Sequence, residues 1–273
     1  MEDGPDFTSN AVFSSEASLK AIIVAKEETL LAGSYIIPMI LEECALEEPG
    51  EWSLENHVAE GDMLAPGTVA VTLEGGARLL LRAERVILNF ICHLSGIANL
   101  VKRYVDALDG TGVRLLDTRK TLPGLRYPEK YAVLVGGGCN HRKNLGEMLM
   151  LKDNHIDAAG GIAPAVAMLR GAYDPVPPIE VECRTEDEVR QAVECGVTRI
   201  MLDNMLDNGG PGVMQQALSL VPESIEVELS GGVTLENIRM IAQTGASRKA
   251  DFISVGRLTH SAPAADFSMR ISG

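Results

Sequence analysis

The spacing of apolar and polar positions changes style near residue 105. Before it, Leu19–Ala25 (LKAIIVA) and Gly67–Leu73 (GTVAVTL) are short apolar runs that predict strands, the second following the turn-rich Glu60-Gly61-Asp62. Ile36–Cys44 predicts a short helix. From about Ala77 to Leu108, apolar residues recur at helical spacing around Val86, Phe90, Leu94, Ile97 and Val101, which predicts one long helix. This first part is expected to form an α+β domain.

After residue 110 the pattern becomes regular. Apolar runs at Val113–Leu116, Met148–Leu151, Ile179–Val181, Arg199–Leu202, Ile225–Leu229 and Phe252–Ile253 predict six strands. Helical patterns or Gly-rich turns separate them. Thr185-x-x-Glu188 is a capping box, and Thr234 stands as an N-cap before Leu235-Glu236-Asn237-Ile238. Cys195-Gly196 and Thr244-Gly245 supply glycines where those helices should stop. Strands alternating with helices imply parallel pairing with helical crossovers, and six units in one run favour a barrel-like α/β domain over an open sheet.

The polar residues collect where these strands end. The six ends carry Asp117-Thr118-Arg119-Lys120, Lys152-Asp153-Asn154-His155, Glu182, Asp203-Asn204, Ser230-Gly231-Gly232 and Ser254-Val255-Gly256. In a parallel α/β barrel all of these meet on one face, where such folds build active sites. Glycine loops let backbone N–H groups approach phosphate oxygens. Glu182 and Asp203, on neighbouring strands beside such loops, suggest Mg²⁺ bridging to phosphate. Phosphate-ester or diphosphate chemistry is the expected outcome.

Charge sharpens this picture. The 273 residues carry a formal net charge of −14, which argues against a general nucleic-acid or anionic-membrane binder. The segment Arg114–Lys152 nevertheless carries +5, leaving −19 for the rest, so a small anionic substrate in a private cationic pocket is expected. Within it, Arg119, Lys120, Arg142 and Lys152 fall to the pocket, whereas Arg114, Arg126, Lys130 and Lys143 read as surface charge. The five cysteines, Cys44, Cys92, Cys139, Cys183 and Cys195, show no C-x-x-C spacing, so neither a disulfide framework nor a zinc site is supported. The acidic N-terminus lacks an apolar signal region, and the longest uncharged run, Val86–Val101, is too short and polar to span a bilayer. The chain reads as cytoplasmic.

Several ordered motifs then resemble quinolinate phosphoribosyltransferase. They are Glu84-Arg85-x-x-Leu88-Asn89, His93-Leu94-Ser95-Gly96-Ile97-Ala98, Asp117-Thr118-Arg119-Lys120-Thr121 and Gly136-Gly137-Gly138-x-Asn140-His141-Arg142. Further along come Lys152-Asp153-Asn154-His155, Glu180-Val181-Glu182, Leu202-Asp203-Asn204, Ser230-Gly231-Gly232 and Ile253-Ser254-Val255-Gly256 with Leu258-Thr259-His260-Ser261-Ala262-Pro263. The match covers nearly the whole chain.

The resemblance implies an N-terminal α/β sandwich domain (1–105, joined by the tail 264–273) and an open, incomplete α/β barrel (106–263), the type II phosphoribosyltransferase architecture. It implies transfer of phosphoribose from phosphoribosyl diphosphate (PRPP) to quinolinate with decarboxylation. The products are nicotinate mononucleotide, diphosphate and CO₂, in de novo NAD biosynthesis. It implies a homodimer, or a dimer-based hexamer, in which Arg85 is shared across the interface. Quinolinate is a dianion, so forked donors from Arg119, Arg142 and the borrowed Arg85 suit it. Lys120, His141 and Lys152 complete the positive pocket, with Thr118 beside them and Lys152 also in reach of PRPP. Glu182 and Asp203 form the magnesium and ribose side, and Ser230, Gly231, Gly232, Ser254, Val255 and Gly256 the loops for the 5′-phosphate. The catalytic set is Lys120, Lys152, Glu182 and Asp203. Leu122 and Arg257 depart from the usual family pattern, and the N-terminal turn echoes it only loosely.

Two other readings compete. Lys152 at a strand end could serve a barrel aldolase as a Schiff-base amine, though two arginines beside it fit a dianion better. A non-catalytic or altered-substrate paralogue would keep the fold without the chemistry, yet the intact set of charged residues argues against decay. His57, His93, His155 and His260 read as structural or as supporting the site residues from behind, since none has ligand spacing.

Overall fold

A short helix α1 (Phe7–Val12), whose Ser9 N–H donates to the Asp6 carboxylate at 2.9 Å, leads into strand β1 (Ser18–Ala25). These are the first elements of a computed structural model that describes residues 4–245 and 248–271. Strand β2 (Thr29–Leu30), helix α2 (Ile37–Cys44) and strands β3 (Trp52–Asn56), β4 (Met63–Leu64) and β5 (Val69–Gly76) follow. Helix α3 (Ala77–Leu108) is the single long helix that the apolar spacing predicts. Its Leu80, Ile87, Ile91, Leu94, Val101 and Tyr104 recur every three to seven residues and are buried, the signature of one apolar stripe.

The regular part then unfolds as expected. Strand β6 (Arg114–Leu116), helix α4 (Arg126–Val135), strand β7 (Leu149–Leu151), helices α5 (Asp153–Ala159) and α6 (Ile162–Ala172), and strand β8 (Ile179–Cys183) come first. Helix α7 (Glu186–Glu194), strand β9 (Arg199–Asp203), helix α8 (Met205–Leu220) and strand β10 (Glu226–Ser230) continue the alternation. Helix α9 (Ile238–Ala242), strand β11 (Phe252–Ser254), helix α10 (Arg257–His260) and strand β12 (Phe267–Ile271) complete the described chain.

The chain divides into two compact units: 1–101 with 131–137 and 261–273, and 102–130 with 138–260. In the first, an antiparallel sheet runs in the order β12-β1-β5-β3. Ile23, Leu31, Leu41, Leu73 and Ile87 are among the buried residues of its core, each fully excluded from solvent. In the second, six parallel strands run in the order β6-β11-β10-β9-β8-β7. No pairing joins the end strands β6 and β7 among the described residues, so this is an incomplete barrel.

Two helix starts differ from expectation. At α7 only half of the capping box forms: Thr185 Oγ1 accepts the Glu188 N–H at 3.2 Å, but the Glu188 carboxylate accepts from the N–H and guanidinium of Arg184. Arg184 is simply the stronger competitor for it. Helix α9 begins at Ile238, not at Leu235. Asn237 Oδ1 takes the Thr234 N–H at 2.8 Å, and residues 235–237 form a turn ahead of the helix.

Position along each barrel strand decides what its side chains meet. Residues two apart share a face, and the pairs Met150/Lys152, Met201/Asp203 and Glu228/Ser230 all line one interior cavity. Glu182 lines it too, and Glu180 sits two residues below.

Candidate active site

The cavity at the strand ends has a volume of about 420 Å³. Thr118, Arg119 and Lys120 reach it from the loop after β6, and His141 and Arg142 from the segment before β7. Lys152, Glu182, Asp203, Ser230 and Ser254 reach it from the other five strands. Short loops at strand ends bring these residues together although they are far apart in sequence.

Its electrostatics favour an anion. Arg142 is mostly buried, and its Nη1 donates to the Met148 carbonyl at 3.0 Å. Burial, and then the neighbouring Arg119 guanidinium, hold the Arg142 pKa below its ordinary value. The Arg119 Nε is buried and has no hydrogen-bond partner among the described residues. Two guanidiniums in one cavity, one of them disfavoured by the other, form a site that a doubly charged carboxylate would relieve. Across the cavity, Lys152 Nζ pairs with Glu182 Oε2, and Asn204 Nδ2 donates to Asp203 Oδ2 at 2.7 Å.

A second cavity of about 310 Å³ shares the wall formed by Thr118, Lys120, Asp203, Asn204, Ser230 and Ser254. Its other side is the two glycine loops, Gly231-Gly232 and Val255-Gly256, with Arg257 and His260. Gly231 has φ +95°, and a Cβ there would overlap the Asn204 side chain, which itself belongs to a residue at φ 52°. The Asn204 N–H donates to the Ser230 carbonyl at 2.9 Å, which locks the two strand ends together. Lys120 is held in the same way: the Thr259 hydroxyl donates to its carbonyl at 2.7 Å. Small residues therefore leave room beside a lysine for a phosphate-sized group.

Of the residues expected at the site, Arg85 alone lines neither cavity; it is exposed on α3, in the first unit. Lys130 is a correction. Expected at the surface, it is 1% exposed and donates to Asp117 Oδ1 at 2.5 Å and to the His141 carbonyl at 3.0 Å. Burial pushes Asp117 up and Lys130 down. Three donors converge on the Asp117 carboxylate, however: Lys130, the His141 N–H at 2.8 Å and Asn140 Nδ2 at 2.8 Å. Those contacts oppose the upward push of burial. Arg126 too is no plain surface charge, since it reaches the carbonyls of Arg119 and Lys143 at 3.5 Å.

Two acids have a place here that the sequence did not assign: Glu180 stood only within the Glu180-Val181-Glu182 motif, and Glu228 was not singled out. Glu180 and Glu228 are fully buried, and their Oε2 atoms lie 3.2 and 3.4 Å from His141 Nε2. Burial alone would lower the His141 pKa, but these carboxylates push it up to about 9. The signal available in the sequence was their spacing, two residues before Glu182 and Ser230 on strands whose cavity face is polar.

An incomplete parallel barrel whose strand ends build a cationic cavity beside glycine-rich anion loops defines a class of α/β enzymes for anionic substrates. The family is specific. Residues 6–95 match the quinolinate phosphoribosyl transferase N-terminal domain and residues 97–270 its C-terminal domain, and the chain belongs to this family. It is 43% identical over 267 residues to a protein of Bacillus subtilis (strain 168) named as a probable carboxylating nicotinate-nucleotide pyrophosphorylase, covering 98% of this chain and 88% of that one. Among solved structures, NadC from Streptococcus pyogenes superimposes with a TM-score of 0.87 at 38% identity, covering 99% and 92% of the two chains. The nicotinate-nucleotide pyrophosphorylase from Francisella tularensis does so with a TM-score of 0.89 at 32% identity, covering 99% and 91%. No helix among the described residues is long and apolar enough to cross a membrane.

Proposed function

We propose that this chain transfers the phosphoribosyl group of PRPP to quinolinate and releases CO₂, giving nicotinate mononucleotide and diphosphate for NAD biosynthesis. The observation that carries this reading is the Arg119–Arg142 pair, two guanidiniums in one cavity, adjoining a second cavity lined by glycine loops. Quinolinate supplies two carboxylates to the first cavity, and the 5′-phosphate of PRPP occupies the second. The ring nitrogen attacks C1 of the ribose as the C1–O bond to diphosphate breaks. Positive charge develops at C1 and negative charge on the departing diphosphate, so catalysis consists of positioning and charge stabilisation. Lys120, in both cavities, and Lys152 stabilise the departing group, while Glu182 and Asp203 face the ribose. Once the nitrogen is quaternary, the C2–carboxylate bond breaks and its electron pair stays on the ring, where a proton replaces CO₂.

Glu182 and Asp203 also fit Mg²⁺. Both offer hard oxygen donors on adjacent strands at one cavity wall, the set that binds this ion together with substrate phosphate oxygens. When bound there, the ion would neutralise diphosphate charge. The Lys152–Glu182 ion pair disfavours the aldolase alternative, which needs a desolvated neutral amine. The reading includes a homodimer in which Arg85 serves the partner's site, and a cytoplasmic location, which five cysteines without disulfides support.

The test is a turnover assay with quinolinate, PRPP and Mg²⁺ that follows nicotinate mononucleotide and CO₂. Activity should vanish on chelation and return with Mg²⁺. Turnover of nicotinic acid in place of quinolinate would overturn the assignment. Mixing Arg85→Ala with Lys152→Ala subunits should restore part of the activity; no recovery would count against the shared site.

A further inference from the structure

Glu180 and Glu228 have no part in the chemistry above, yet burying two carboxylates is costly unless something fixes their charge. No hydrogen bond engages any of their four oxygens among the described residues. What faces them is His141 Nε2, at 3.2 and 3.4 Å, and Arg199 Nη1, at 4.0 Å from Glu180 and 3.6 Å from Glu228. His141, Glu180 and Glu228 bring ligand atoms within 4.8 Å of one another, as a metal site would. The guanidinium of Arg199, within 4.0 Å of both carboxylates, already supplies them with positive charge, so the cluster is better read as a grip on the histidine.

The grip is complete. The His141 N–H donates to Asp117, its carbonyl accepts from Lys130, and its Nδ1 accepts the Arg142 N–H at 2.7 Å. With Nδ1 facing a donor, Nε2 is the nitrogen that carries hydrogen in the neutral ring, and it carries one in the charged ring as well. His141 lines the cavity and also holds the backbone of Arg142 through Nδ1.

We propose that Glu180 and Glu228 are positioning residues for the acceptor site: by fixing His141 through Nε2 they set the backbone at Arg142, and with it the guanidinium that receives a substrate carboxylate. This rests on the assignment of Arg119 and Arg142 to the quinolinate dianion. It bears on the acceptor first, because His141, Arg142 and Glu228 line the first cavity and not the second, and Ser254, whose hydroxyl faces Glu228, links the two.

The experiment compares Glu180→Gln and Glu228→Gln with the unaltered enzyme. The KM for quinolinate should rise about tenfold or more, with kcat within about threefold and the KM for PRPP within about twofold, the pattern of a displaced binding group. Nitrogen-15 NMR of the His141 ring, recorded above pH 9 where the ring is neutral, should show the Nε2–H tautomer in the unaltered enzyme and a mixture in the variants. Should either variant fail to fold, His141→Asn, which keeps both acids, must raise the quinolinate KM alone. Parallel rises in both KM values, or an unchanged quinolinate KM, would overturn the proposal. Failure of the unaltered enzyme to turn over quinolinate would instead overturn the acceptor assignment beneath it.

Discussion

The barrel presents two layers of charge on the same strands, two residues apart, and they behave differently. In the upper layer the Lys152 side chain is 43% exposed and Glu182 14%. In the layer below, Glu180 and Glu228 are 0% exposed. Water screens the upper charges, so Lys152 and Glu182 can exchange each other for a ligand at little cost. The lower acids have no such freedom. They need partners built into the fold, and Arg199 and His141 supply them. One carboxylate is thus chemistry and the next, a pleat away, is scaffold. Depth along the strand makes that difference, not residue type.

This contrast can be broken by substitution. Arg119→Ala should cost the largest factor, about a hundredfold or more in quinolinate affinity by calorimetry, since it removes a charge-assisted fork from the cavity. PRPP affinity should stay within a few fold; equal loss of both would contradict the division of the two cavities. Lys130→Met leaves the buried Asp117 without its counter-charge, and should lower the stability read from urea unfolding by about 3–5 kcal/mol. A loss below about 1 kcal/mol would mean that the buried charges are not structural. Arg257→Ala sharpens the comparison from the exposed side. This residue lines the glycine-loop cavity from the solvent, so its removal should raise the PRPP KM only about threefold, an effect that added salt should erase.

Much of this architecture is legible in the residues. The β6–β11 runs and the α3 stripe stand out because burial enforces an apolar period, and the strand ends mark the cavity once parallel pairing is assumed. Lys130 was misread because it lies away from the strand ends, and only tertiary packing brings Asp117 to it. Glu180 and Glu228 were given no role for a related reason. Glu226-Val227-Glu228-Leu229-Ser230 alternates as a half-solvated strand does, and in a barrel the polar face turns to the interior instead of to water. The late start of α9 hinges on one Asn237 hydrogen bond that propensity does not encode.

The strand order of the first sheet has a consequence for how the protein is made. Strand β1, Ser18–Ala25, takes its outer partner from Phe267–Ile271, nearly the whole length of the chain later. A ribosome therefore delivers every strand of the barrel while β1 still has an open edge. Such edges template pairing with other chains. The newborn protein must guard that edge until its last strand emerges, so shortening the C-terminus would threaten solubility before it threatened catalysis.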